Sequence, residues 1–219
     1  MVKISRELLG KILVTEFGGQ RTSGRIVETE AYNGVTDRAS HAWSGRRTAR
    51  TEVMYGRGGR AYVYLIYGIH HLFNVVTNVE DTPHAVLVRA LEPLEGIPVM
   101  LQRTGKKKLD HTLTRGPGNL SRAMGLRTLH TGMSLLGEAR TEDATEREEA
   151  TERKDGPAGG DTIYIGDDGF RLKKTDIGVG PRIGVDYAGE DAALPYRFFV
   201  KGCPYVSGKK SQNLGHGML

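Results

Sequence analysis

Alternation of apolar and polar residues is the strongest pattern along this chain. Ser23 to Tyr32 alternates in strand fashion, which predicts a β-strand with Ile26, Glu28, Glu30 and Tyr32 on one face. Ala61 to Tyr67 and Ile69 to Thr77 are β-rich segments on either side of Gly68, the mark of a hairpin with a sharp tip. Further strands are predicted at Lys11 to Phe17, ahead of a Gly18-Gly19 turn, and at Ala85 to Leu91, Thr162 to Ile165 and Arg197 to Lys201. Helices are predicted at Ser5 to Leu9, from about Leu94 to Arg103, and from Asn119 to Met124, the last opened by Gly116-Pro117-Gly118. Asn33 to Arg60 reads mostly as loop, with a helical turn near Arg50 to Met54. A loop this long inside a compact domain is usually functional. Thr104 to Thr114 reads as a basic loop, and the tail from Ser207 as polar and frayed. No internal repeat is visible, and one α+β domain spanning residues 1–219 is the simplest account.

Charge adds a direction. The net charge is +5, but Glu138 to Asp155 carries eight acidic and four basic residues, a balance of −4 that leaves +9 on the remainder. A polyanionic partner fits that remainder, with plain solubility charge as the alternative. The acidic stretch, residues 138–160, has helix-forming residues without an apolar stripe, and reads as a solvated helix or a disordered insertion. No apolar run approaches a membrane span, and Met1 to Gly10 does not read as a secretory signal. A single cysteine, Cys203, excludes an internal disulfide. A cytoplasmic, nucleoid-associated protein is expected.

Five of the nine tyrosines lie between Tyr32 and Tyr67, together with His41, Trp43, the carboxylates Glu28 and Glu30, and the cations Arg46, Arg47 and Arg50. Flat rings beside carboxylates and fixed cations suit a pocket that stacks a planar base. The plainer reading is that Tyr62, Tyr64 and Tyr67 simply pack a hairpin. Two carboxylates on one strand face tend to raise the pKa of one of the pair, although Glu28 also reads as a salt-bridged or exposed strand glutamate.

The segments GRIVETEAY from Gly24, SHAWSGRRTART from Ser40, YVYLIYG from Tyr62, VLVRALEPLEG from Val86, RGPGNL from Arg115 and RFFVKGCPYVS from Arg197 resemble the alkyladenine (3-methyladenine) DNA glycosylase family. The likeness covers most of the chain in order. It implies a curved, mainly antiparallel sheet flanked by helices, with a protruding β-hairpin. It also implies a repair enzyme that flips alkylated or deaminated purines from double-stranded DNA, hydrolyses the N-glycosidic bond and leaves an abasic site. By the resemblance Glu30 activates the attacking water and Arg89 helps to hold it. Tyr32, His41 and Tyr64 wall the base pocket, Leu87 and Val185 line it, and Asn74 at its floor disfavours the amino group of normal guanine. Tyr67 wedges into the minor groove. Ile69 beside the tip, and Arg46, Arg47 and Arg50, are expected against DNA. The chain departs from the family at His70, where an aromatic is usual, at Asn119, where a lysine is usual, and in the acidic insertion.

No lysine lies in these pocket motifs, so Schiff-base strand cleavage is not expected. No metal or cofactor is expected, since His70 and His71 point to opposite faces of a strand. A monomer is expected. A damage sensor without catalysis and an RNA-binding module remain the alternative classes. A sensor would need the cage but not the Glu30–Arg89 pair.

Overall fold

A computed structural model describes residues 1–136 and 160–208. The acidic stretch, except Gly160, and the tail beyond Gly208 lie outside these residues. Among the described residues eight strands form one antiparallel sheet: β1 (Ile12–Phe17), β2 (Gln20–Tyr32), β3 (Ala61–Ile66), β4 (His70–Thr77), β5 (His84–Glu95), β6 (Thr162–Gly166), β7 (Ile177–Gly180) and β8 (Arg197–Val200). Their order is β3-β4-β5-β2-β1-β6, with β8 also paired to β2 and β7 to β8. The fold is α+β with a curled sheet, as the pattern and the resemblance imply.

The long strand β2 makes the curl. Its first half pairs with β1, from Ile12 opposite Arg25 to Phe17 opposite Gln20, and its end pairs with β8 through Glu28 opposite Phe199 and Glu30 opposite Arg197. Between these halves the register against β5 slips at Ile26/Glu28 and Glu28/Thr29. Such irregularities bend a strand and re-aim its side chains. One expectation is thereby corrected. Ile26 joins the main core cluster with Ala31, Val86 and Val88, while Glu28 and Glu30 share the other side, where Arg89 touches both.

Helices α1 (Val2–Glu7), α3 (Ile97–Thr104) and α4 (Pro117–Met124) are tied to the core-facing side. There Leu8, Leu9, Met100, Leu120 and Met124 meet Phe73, Val88 and Phe198. The short α2 (Glu52–Tyr55) closes the opposite side, placing Met54 and Tyr55 against Tyr62, Val76 and Ala85. The helix expected from Leu94 begins later because β5 stays paired with β2 as far as Glu95, and Pro98 occupies the first helical turn. β7 escapes a sequence reading since two of its four residues are glycine.

The β3–β4 hairpin turns at Tyr67 and Gly68, both at positive φ (53° and 72°), with the Ile69 amide donating to the Ile66 carbonyl at 3.2 Å. Positive φ at both central residues matches the twist of flanking strands. For a tyrosine that conformation is uncommon and marks a constrained position. Tyr67 is 85% exposed and Ile69 71% exposed.

Candidate active site

Strand pairing assembles the site. Asn74 lies opposite both Tyr62 and Leu87, and Leu87 lies opposite Glu30, so four neighbouring strands, β3, β4, β5 and β2, carry these residues in register. They open into a cavity of about 510 Å³. Tyr32, His41, Tyr64, Asn74, Leu87, Val185 and Arg89, all expected here, line it together with Tyr67. His41 meets Tyr64 edge-on at 4.5 Å between ring centroids, and its Nδ1 is 2.8 Å from the Tyr62 hydroxyl. The Asn74 amide is fixed by donating to the Tyr62 and Leu72 carbonyls at 3.1 and 3.3 Å.

Glu30 is fully buried behind this lining. Its Oε1 accepts from the Ile183 amide at 2.8 Å and lies 3.2 Å from Arg89 Nη1, while its Oε2 accepts from the Tyr32 hydroxyl at 2.9 Å. A carboxylate offers about four acceptor positions. Three are therefore filled, and all three donors belong to residues that line the cavity. Burial and the neighbouring Glu30 charge push the Tyr32 hydroxyl well above its ordinary pKa, so it remains a donor.

Glu28 has a different role. It too is fully buried, but Arg197 Nε donates to it at 2.7 Å and Arg89 Nε at 3.2 Å. Burial alone would raise its pKa, yet the charges of Arg89 and Arg197 and the Ser207 amide outweigh this and hold the carboxyl below its usual value. A raised partner was the general expectation for two close carboxylates; for Glu28 the arginines reverse it. The reading of Glu28 as a salt-bridged glutamate is the one that holds.

Ser207 corrects a further expectation. Instead of beginning a frayed tail it is 7% exposed, and it donates to Glu28 from both amide and hydroxyl. Its carbonyl accepts from Arg197 Nη2 at 2.8 Å.

Two other supports lay beyond sequence reasoning. Arg182 forms a two-pronged pair with Asp37 at 2.5 and 2.9 Å and lies over the Tyr32 ring at 4.8 Å. The next residue, Ile183, supplies the amide that binds Glu30. Tyr187 and Arg115 also line the cavity. Arg115, Arg182 and Ile183 come from loops and Tyr187 from a short 3-10 helix, none with strand periodicity, so only the arginine and tyrosine identities hinted at them.

The three loop arginines part company. Arg47 is engaged by Glu52 at 2.6 Å and Asp81 at 2.8 Å. Arg50 lies over the Tyr64 ring at 5.0 Å and approaches His41 Nε2 to 3.1 Å, which places it at the cavity. Arg46 is exposed. Burial, then Arg50 and Arg46, lower the His41 pKa to about 4.

A slot with these dimensions and ring walls has the shape and chemistry that suit a flat heterocycle. The methylpurine-DNA glycosylase (MPG) family model matches residues 1–204, so the chain belongs to that family, whose enzymes hydrolyse N-glycosyl bonds. A relative from Desulfitobacterium hafniense (strain Y51) is 40% identical over 213 residues, covering 94% of this chain and 93% of the relative. One from Bacillus cereus (strain G9842) is 42% identical over 216 residues, covering 95% and 94%. One from Clostridium acetobutylicum is 41% identical over 213 residues, covering 94% and 92%. Each of the three is named, provisionally, a 3-methyladenine DNA glycosylase.

Proposed function

We propose that this DNA glycosylase excises alkylated purines from duplex DNA by flipping the nucleotide into the aromatic slot and attacking C1′ with water activated by Glu30. The observation that carries the reading is the position of Glu30, fully buried and, among the described residues, held by side-chain contacts only to groups that line the slot.

Flipping costs a few kcal/mol of stacking and pairing. Each base–aromatic contact returns about 1–3 kcal/mol, so two rings, Tyr32 and Tyr64, offset it. Tyr67, on its constrained turn, fills the gap left in the duplex. A methylpurine such as 3-methyladenine is cationic, and the tyrosine faces attract it by roughly 0.5–2 kcal/mol. His41, with its pKa held near 4, is neutral at pH 7 and adds no repelling charge.

The fourth acceptor position of Glu30 takes the water, beside Arg89. As the C1′–N bond breaks, its electron pair leaves with the purine, which departs neutral because it entered with a positive charge. Water oxygen bonds to C1′ and its proton passes to Glu30. A positioned general base contributes about 10²–10⁴-fold. The Glu30 carboxylate also steadies the cationic sugar while the bond is open. Arg89, 3.2 Å from Glu30, fixes the carboxylate beside that water. Among the described residues no lysine lines the slot, which favours water over a Schiff base and an abasic product over a cut strand.

The test is direct. Incubation with N-methylated duplex DNA should release free methylpurine and leave alkali-labile abasic sites without nicking. Absence of purine release from that DNA sinks the proposal.

A further inference from the structure

We propose that a second cavity, on the far side of the β3–β4 hairpin from the base slot, is a phosphate-binding site that holds the DNA backbone next to the flipped nucleotide. It measures about 780 Å³ and is walled by Arg103, Arg122, Arg127, His71, His130 and Ser121. The inference rests on the glycosylase reading for the direction from which DNA arrives.

Uncompensated charge is the first support. Arg89, Arg182 and Arg197 each face a carboxylate, whereas Arg103, Arg122 and Arg127 have no carboxylate within ion-pair distance among the described residues. Arg103 instead donates to Thr22 and the Ala123 carbonyl, and Arg122 to the Arg103 carbonyl. Asp161, the one carboxylate among the described lining residues, accepts the Gly18 amide at 3.1 Å. Three guanidiniums against one carboxylate leave a positive basin. Burial and the nearness of Arg127 push the Arg103 guanidinium below its usual pKa, a local sign of the same imbalance.

The second support is independent of charge. His71 Nδ1 and Ser121 Oγ are buried in this wall and find no hydrogen-bond partner among the described residues. Ser121 is fully buried. Buried polar atoms are nearly always paired, and an orphan calls for a ligand or an ordered solvent partner. A phosphate oxygen answers both the orphaned groups and the arginines.

Position gives the source of the phosphate. His70, Gly118 and Asn119 line both cavities, so they form the partition between them. That wall is thin because Gly118 lacks a side chain: a Cβ there would stand 2.9 Å from His70 Nδ1. Ile69, beside the Tyr67 tip, lies on the rim of the second cavity. A strand that gives up one nucleotide to the slot crosses this partition and meets the basin at a neighbouring phosphate. Free nucleotides or polyphosphates present the same chemistry, so the experiment separates the two.

Arg122 and Arg127 are exposed, and their replacement by glutamine does not threaten the fold. Binding of a duplex carrying an uncleavable abasic analogue is measured by anisotropy against salt for wild type, R122Q, R127Q and the double variant. The salt slope should fall by about one for each arginine and by about two for the pair. Calorimetric titration of the DNA-free protein with tripolyphosphate forms the second arm. A double variant with the wild-type slope overturns the proposal, even if tripolyphosphate binding is lost, since the site would then serve free anions. Purine release by the wild-type protein tests the catalytic reading separately.

Discussion

Ser207 grips Glu28 with two hydrogen bonds, its amide donating to Oε2 at 2.7 Å and its hydroxyl to Oε1 at 2.9 Å. The same hydroxyl accepts from Arg89 at 3.2 and 3.4 Å, and Arg89 in turn faces Glu30 at 3.2 Å. A segment around residue 207 thus helps to orient the cation beside Glu30, the carboxylate proposed to activate water. Ser207→Ala should slow single-turnover excision by roughly tenfold, the loss of about 1–1.5 kcal/mol. Affinity for lesion-containing duplex should change little, and Ser207→Thr should recover most of the rate. An unchanged excision rate in the alanine variant refutes the positioning role.

Glu28 should matter for stability more than for chemistry. Glu28→Gln removes the carboxylate charge that Arg89 and Arg197 share in the interior, and breaking such a buried pair costs roughly 3 kcal/mol, with Glu30 still facing Arg89. The pH dependence follows from the lowered pKa of Glu28. Its contribution is complete above the unfolded carboxyl value and drains away as pH falls through the folded one. Urea unfolding at pH 7 and at pH 4 should show the gap between wild type and Glu28→Gln shrinking at the lower pH. A gap that widens there contradicts the pairing.

His41 titrates near pH 4 rather than near 6.5. It is therefore neutral throughout pH 5 to 8 and gives no inflection in lesion binding across that range. The sign for stability is the reverse of a paired histidine. Because the unfolded chain holds the proton more tightly, stability is complete above about pH 6.5 and declines toward pH 4. Nuclear magnetic resonance of the His41 ring should report the low value, and Arg50→Gln should move it upward. A value near 6.5 in the wild type, or no movement in the variant, argues against this electrostatic arrangement.

Tyr67 stands at positive φ and is 85% exposed, poised to enter a duplex. Tyr67→Ala should reduce the flipped population about tenfold or more while leaving the excision rate of the flipped complex nearly intact. Fluorescence of a reporter base beside the lesion reads the first, and saturating single-turnover kinetics read the second. Equal flipping in both proteins removes the wedge.

Much of the site was legible in the sequence because strands write their faces at period two. Alternation put Tyr62 with Tyr64 and Glu30 with Tyr32, and pairing brings the three tyrosines to one cavity with Glu30 behind it; Asn74 and Leu87 came from the resemblance. The resemblance also supplied Arg89 on its strand, and His41 and Val185, which come from irregular segments. Ile26 was misplaced because a register slip is invisible in the pattern it interrupts. Ser207 and the Asp37–Arg182 pair were missed for another reason. Their partners lie 179 and 145 residues away in the chain, and no local rule encodes such pairings. Arg47 shows how little a loop arginine's identity decides: the same guanidinium that suits phosphate is engaged by Glu52 and Asp81 in the DNA-free protein.

The proton-accepting role of Glu30 is tested most directly by Glu30→Gln. The amide keeps the shape and most of the hydrogen bonds of the carboxylate but cannot take the proton of water. Single-turnover release of methylpurine from a defined duplex should fall by a factor on the order of 10² or more, with lesion affinity within a few-fold of wild type. Wild-type release by Glu30→Gln contradicts the mechanism outright.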